Sequence, residues 1–306
     1  MSKLAFVFPG QGAQYIGMGK EFYENCTASK RVFEEASEAA SIDLRNLCFE
    51  ENDKINITEY TQIAMLATEV AILSAVEQEG IKADYTAGLS LGEYGALVAS
   101  KTMKAYDAFG VVRQRGILMQ EAVPTGGAMS AVLGMPAEQI EEILKKESGI
   151  VSIANYNCPG QIVITGEKAA VEHASVGLKK AGAKRVIPLT VSGPFHSKML
   201  EEAGNKLGDF LQDIDIAYPE IPYVANLTAD YVYSPAEVKP LLIRQVSSPV
   251  KWQQSVERLI ESGVDHFLEL GPKKTLSGFI KKIDENVQVS HIDTFADFKS
   301  FMEGKG

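Results

Sequence analysis

Short apolar runs alternate with longer stretches of helical periodicity along most of the chain, the pattern of an α/β fold. The candidate strands lie at 4–8, 85–89, 221–225 and 267–270. Residues 58–79 read as one long helix, with Thr58 as its N-cap and Gly80 just past its end. Its apolar residues, among them Ile63, Leu66, Ala67, Val70 and Leu73, cover more than one stripe. That coverage predicts a central, well-buried helix.

Between about residue 128 and residue 189 the pattern has its own order. It reads as strand (128–133), helix (136–148), strand (150–155), strand (161–165), helix (167–181) and strand (185–189). A β-α-β-β-α-β succession is the ferredoxin-like arrangement. Gly126-Gly127, Pro159-Gly160 and Gly193-Pro194 punctuate it. The expectation is a small ferredoxin-like subdomain, residues 127–192, inserted into a large α/β domain made of residues 1–126 and 193–306. Pockets favour such junctions, so a cleft is expected where the two meet.

The 306 residues are 45% hydrophobic and 23% charged, which is ordinary for a globular protein. A net charge of −10 argues against a nucleic-acid partner. The longest apolar stretch, 63–76, is interrupted by Glu69 and falls short of a membrane span. The first apolar run stops at Pro9-Gly10, too short for a signal-peptide core. Cys26, Cys48 and Cys158 show no metal-binding or disulfide spacing. A soluble cytoplasmic protein is expected, with no membrane partner and no bound metal.

The chemistry centres on Gly88-Leu89-Ser90-Leu91-Gly92, a GxSxG pentapeptide between a strand-like run and a helix-like one. That is the context of a nucleophile elbow, where flanking glycines permit a tight turn that exposes the serine hydroxyl. The Leu91 N–H would then lie at a helix N-terminus and serve as an oxyanion donor. A serine needs a general base, and the chain holds four histidines. His173 reads as a surface residue, and His266 begins a strand at the end away from a ligand crevice. His196, in the loop Ser192-Gly193-Pro194-Phe195-His196-Ser197, is preferred, with His291 as its rival. Gly10-Gln11-Gly12-Ala13-Gln14 matches neither a dinucleotide fingerprint nor a Walker A loop. It does follow the first strand, where a glycine-rich turn can supply the second oxyanion donor, assigned here to Gln11.

Taken in order, these pieces resemble the malonyl-CoA:acyl carrier protein transacylases of fatty-acid synthesis and the acyltransferase domains of polyketide synthases. The match runs through Phe8-Pro9-Gly10-Gln11-Gly12-Ala13-Gln14, Gly88-Leu89-Ser90-Leu91-Gly92-Glu93-Tyr94, Arg115-Gly116, Asn155-Tyr156-Asn157, Gly193-Pro194-Phe195-His196-Ser197 and Glu269-Leu270-Gly271-Pro272, nearly the whole chain. The resemblance implies a large hydrolase-like three-layer domain with a parallel sheet core, and transfer of a malonyl group from malonyl-CoA to acyl carrier protein. It implies Ser90 as acylated nucleophile, His196 as base, and Gln11 and Leu91 as oxyanion hole. It further implies Arg115 as the grip on the substrate's free carboxylate, and the Gln245 backbone carbonyl as the group orienting the histidine. Asn157 lies near the family's site, and no cofactor is implied.

Leu89 is a departure, because most relatives carry histidine just before the nucleophile, and it puts fine specificity in question. Phe195, next to His196, is bulky, a feature that in the related polyketide acyltransferases accompanies malonyl rather than methylmalonyl. A planar guanidinium at Arg115 suits a carboxylate through two parallel hydrogen bonds, whereas Arg113, two residues away, is expected in an ion pair elsewhere. Two other readings compete: a thioesterase on the same elbow, and a non-catalytic carrier-binding module. Carrier proteins are acidic, so a basic rim at the cleft mouth is expected, from Lys184 and Arg185 or from Lys273 and Lys274.

Overall fold

The computed structural model describes residues 2–304. Its strands are β1 (Leu4–Phe8), β2 (Tyr85–Gly88), β3 (Gly127–Leu133), β4 (Val151–Cys158), β5 (Gln161–Glu167), β6 (Arg185–Pro188), β7 (Tyr223–Ala225), β8 (Asp230–Val232), β9 (His266–Leu270) and β10 (Gln288–Ile292). They form two sheets, one of order β10-β9-β1-β2-β7-β8 and one of order β4-β5-β3-β6.

In the larger sheet β10, β9, β1, β2 and β7 are parallel, and β8 closes one edge antiparallel to β7. Successive side chains of a strand face opposite sides, and β1 divides accordingly: Phe6 and Phe8 enter one apolar core, Ala5 and Val7 another. Both faces are therefore covered by helices, which makes three layers. The larger core is organised around the helix Thr58–Gln78, whose residues from Thr61 to Leu73 are all buried. The Ala105–Ala122 helix packs along it.

Thr58 is not the N-cap of that helix. Ile57 occupies the cap position, and the Thr58 hydroxyl is instead 2.6 Å from the Ser192 hydroxyl. β2 stops at Gly88, one residue short of the expected end, because Leu89 already enters the turn before the next helix. β7 begins at Tyr223, two residues later than expected.

The smaller sheet is antiparallel throughout and has its own apolar core beneath the helices Ala137–Leu144 and Lys168–Lys180. In its own strand sequence the order is 2-3-1-4, the ferredoxin-like topology. β4 runs on to Cys158, with register shifts that bring Asn155 beside Val250 of the larger unit. Tyr156 N donates to the Val250 carbonyl and Val250 N to that of Ala154. These bonds stitch the two sheets along one side of the cleft.

Two glycines set how closely the elements approach. A Cβ on Gly88 would overlap the Gly92 carbonyl, and one on Gly92 would overlap the Phe8 carbonyl. Gly92→Ala is expected to destabilise the fold by about 3 kcal/mol or more, because backbone cannot yield as a side-chain tip can. Gly278 lies in the helix Thr275–Ile283 with nothing near its Cβ position, so Gly278→Ala should raise stability by about 0.5–1 kcal/mol. Denaturant titration of both variants tests the contrast.

Candidate active site

β2 leads through the turn at Leu89 and Ser90 into the helix Gly92–Ala99. The turn holds Ser90 at φ 55°, in the left-handed region. A residue with a Cβ is strained there, by about 1 kcal/mol or more, unless its surroundings over-determine it. Asn226 supplies that determination: its Oδ1 accepts from Ser90 N at 2.5 Å and its Nδ2 donates to the Gly88 carbonyl at 2.6 Å. One side chain thus spans the elbow. Glu93, buried in the helix's first turn, accepts from Asn226 N at 3.1 Å.

His196 comes in on the loop before the helix Glu201–Leu211, also at a positive φ of 60°. Its Nε2 is 2.8 Å from Ser90 Oγ and its Nδ1 is 2.9 Å from the Gln245 carbonyl. A carbonyl can only accept, so Nδ1 carries the proton and Nε2 is left to accept the serine's. Burial pushes the imidazole pKa down to about 4, and the nearby Arg115 charge adds to the effect. At neutral pH the ring is a neutral base. No acidic residue orients it, since the carbonyl fills that place.

Arg115, on the Ala105–Ala122 helix, is 1% exposed. Its Nη2 donates to Ser90 Oγ at 3.1 Å and to Gln245 Oε1 at 3.0 Å, and its Nη1 to Gln62 Oε1 at 2.6 Å. Burial lowers its pKa, yet guanidinium stays charged at any ordinary pH. Among the described residues no carboxylate makes an ion pair with it, and its Nε has no partner. Arg113 points elsewhere, onto the Glu59 carboxylate at 2.9 Å.

These groups meet in a cavity of about 820 Å³ between the two sheets. Gln11, Ser90, Leu91, Arg115 and His196 line it from the larger unit, and Met129, Asn155, Asn157 and Val163 from the smaller sheet. Gln11 turns its side-chain amide to Thr58 Oγ1 at 3.2 Å. Leu91 begins the helical run, where N–H groups lack intrahelical partners. Leu89 adds an apolar side chain to the wall.

The other histidines are elsewhere. His173 is exposed and pairs with Glu147, His266 bonds Ser290 Oγ, and His291 lies in the edge strand β10, 4.0 Å from the Asp297 carboxylate. Lys273 reaches the Gly12 carbonyl at 3.4 Å, at the cleft mouth. Lys184 and Arg185 sit at the opposite end of β6 from the cavity-lining Leu189.

Sequence reasoning passed over three residues. Asn226 follows the carboxyl end of β7, where crevice residues gather in parallel sheets. Gln62 is a polar residue directly before the apolar run of the long helix, and Glu93 is an acid directly after the pentapeptide. Each carried that much signal and no more.

A serine primed by a neutral histidine at a strand–turn–helix elbow, beside a buried cation, is equipped for acyl transfer through a serine ester. The acyl transferase domain family matches residues 5–293. A malonyl CoA-acyl carrier protein transacylase of Bacillus subtilis is 47% identical, covering 94% of this chain and 92% of that protein. One from Staphylococcus aureus is 40% identical over 99% of both. The crystal structure of a malonyl CoA-acyl carrier protein transacylase from Clostridium perfringens superposes with a TM-score of 0.96 at 45% identity, covering 99% of this chain and 97% of that one. The chain belongs to the malonyl-CoA–acyl carrier protein transacylase family of acyl transferases.

Two expectations follow from the geometry. Asn226→Ala should release the strained turn, slowing acylation of the serine at least about tenfold and costing about 1–3 kcal/mol of stability, read by rapid-quench kinetics and by denaturant titration. The imidazole pKa is depressed in the folded enzyme, so the base form persists as pH falls through 6.5, its ordinary value, toward 4. The acid limb of kcat/KM should therefore lie below 6.5. Over the same interval the unfolded chain binds the proton more readily, so stability should fall with falling pH.

Proposed function

We propose that this chain transfers malonyl groups from malonyl-CoA to the phosphopantetheine thiol of acyl carrier protein, supplying fatty-acid synthesis in the cytoplasm. The observation that carries the reading is Arg115: a buried cation without a carboxylate partner, 3.1 Å from the candidate nucleophile. An acyl group ending in a carboxylate would neutralise it; an acetyl group would leave it unpaired. The similarity to proteins named malonyl CoA-acyl carrier protein transacylase supports the same substrate. An acyl-carrier protein of a type II polyketide synthase is known in complex with its malonyl-transacylase, 39% identical to this chain with a TM-score of 0.95. That relative supports a carrier protein as acceptor.

In the proposed reaction Ser90 Oγ attacks the thioester carbonyl as its proton passes to His196 Nε2. The Leu91 and Gln11 N–H groups hold the oxyanion that forms. The C–S bond then breaks, His196 returns the proton to the departing CoA sulfur, and a malonyl ester remains on Ser90. The carrier thiol enters, loses its proton to His196, and attacks the ester; collapse releases malonyl-carrier and restores the serine. One thioester replaces another, so the transfer is nearly balanced in energy and reversible. Neither redox nor metal chemistry is called for, and no cofactor is proposed. The segment 127–192 is proposed as the subdomain that forms the second wall of the cleft.

Intact-protein mass spectrometry after mixing with malonyl-CoA tests the proposal. A malonyl adduct is expected on the native chain, absent from Ser90→Ala and reduced at least about 100-fold in rate by Arg115→Ala, the cost of removing a buried charged partner. Rapid release of free malonate without an adduct would indicate a hydrolase. Neither adduct nor turnover would indicate a binding module.

A further inference from the structure

Gln245 ends the helix Pro235–Gln245 and is 1% exposed. Its backbone carbonyl faces His196, but its side chain has partners of its own. Oε1 accepts from Arg115 Nη2 at 3.0 Å, while Nε2 donates to the Ser90 carbonyl at 3.0 Å and to Glu93 Oε2 at 2.7 Å. We propose that this carboxamide couples the cation to the nucleophile turn, making Gln245 a positioning residue for selection of the acyl group. The proposal rests on the malonyltransferase reading and deepens it.

The contacts allow only one orientation of the amide. Turned over, Oε1 would face two acceptors, the Ser90 carbonyl and the Glu93 carboxyl, and the NH₂ would face a guanidinium that can only donate. Glu93, itself anchored by Asn226 N, thus fixes which end of the amide Arg115 meets. Arg115 in turn depends on few acceptors. Among the described residues it donates to two amide oxygens, from Gln62 and Gln245, and to the Ser90 hydroxyl.

When Ser90 becomes an ester its Oγ is a poor acceptor, and the N–H that it held is released toward the acyl chain. The Gln245 contact persists through this exchange and keeps the freed N–H aimed. Without Oε1 the guanidinium keeps one fixed anchor and can swing about it. The penalty falls on an acyl group that ends in a carboxylate, because only that group uses the freed donor. An acetyl group makes no such contact and so escapes this part of the penalty.

Gln245→Met keeps the length and the backbone carbonyl while removing the amide. Single-turnover acylation by malonyl-CoA should slow about 10- to 100-fold, the range for a lost hydrogen bond to a charged group, while acylation by acetyl-CoA, which loses only the bracing of the Ser90 turn, slows by a clearly smaller factor. The acid limb should not move, since His196 keeps its carbonyl partner. In an Arg115→Ala background Gln245→Met should add little further loss, because the two act as one unit. Equal losses for both acyl donors, or full additivity with Arg115→Ala, would overturn the coupling. Should Gln245→Met fail to fold, Gln245→Asn serves: the amide, shorter by one methylene, withdraws its oxygen from Arg115, so the malonyl rate should fall by a larger factor than the acetyl rate. Undiminished malonyl preference in Gln245→Asn would overturn the coupling. A native enzyme that takes no malonyl group at all would overturn the activity itself, a result distinct from these.

Discussion

Arg115 keeps a guanidinium out of water against two amide oxygens and a hydroxyl, and among the described residues no carboxylate is within ion-pair distance of it, Glu93 acting on it only through Gln245 and at longer range. Burying a cation on those terms is costly, and the cost persists in the folded resting enzyme. Much of the surrounding polar network can be understood as what makes that placement tolerable. Gln62, from the long buried helix Thr58–Gln78, and Gln245, from the end of another, bring their amide oxygens to the same charge. The charge in turn helps hold His196 neutral, which is the form that can accept a proton.

The second constraint is backbone proximity. Gly88 and Gly92 let the helix Gly92–Ala99 sit directly on the carboxyl ends of β1 and β2. Ser90 is forced into a left-handed conformation as a result, and Asn226 and Glu93 brace it. The two constraints meet at Gln245, which bonds the Ser90 carbonyl, Arg115 and Glu93 through its side chain and His196 through its backbone. Ser90, His196 and Arg115 are therefore not independent fixtures. A change in one is felt by the others through a handful of short hydrogen bonds.

Much of this was legible beforehand, for physical reasons. The inner strands β1 and β9 are largely buried and stand out as apolar runs, whereas the edge strand β10, polar and half-exposed, does not, and the glycines of the pentapeptide mark a turn that little else can make. The smaller sheet announced itself through Gly and Pro at its hairpin and borders. Element ends were less legible. Thr58 has the side chain of an N-cap, but tertiary contacts with Ser192 and Gln11 claimed its hydroxyl and moved the cap to Ile57. Asn226 and Gln62 carried little signal because a lone amide has no periodicity, and their importance arises only when distant segments converge. Leu89 contributes an apolar side chain to the cavity wall, and the bracing of the elbow does not involve that side chain.

The central claim is that a buried cation without a directly bonded carboxylate, beside Ser90, selects the acyl group. The most direct measurement is the single-turnover rate of Ser90 acylation by malonyl-CoA against acetoacetyl-CoA, which matches it in length but ends in a methyl ketone in place of the carboxylate. If Arg115 selects by charge, malonyl-CoA should react at least about 100-fold faster, the equivalent of a lost partner for a buried ion. Equal rates would contradict the claim and leave shape alone as the basis of selection.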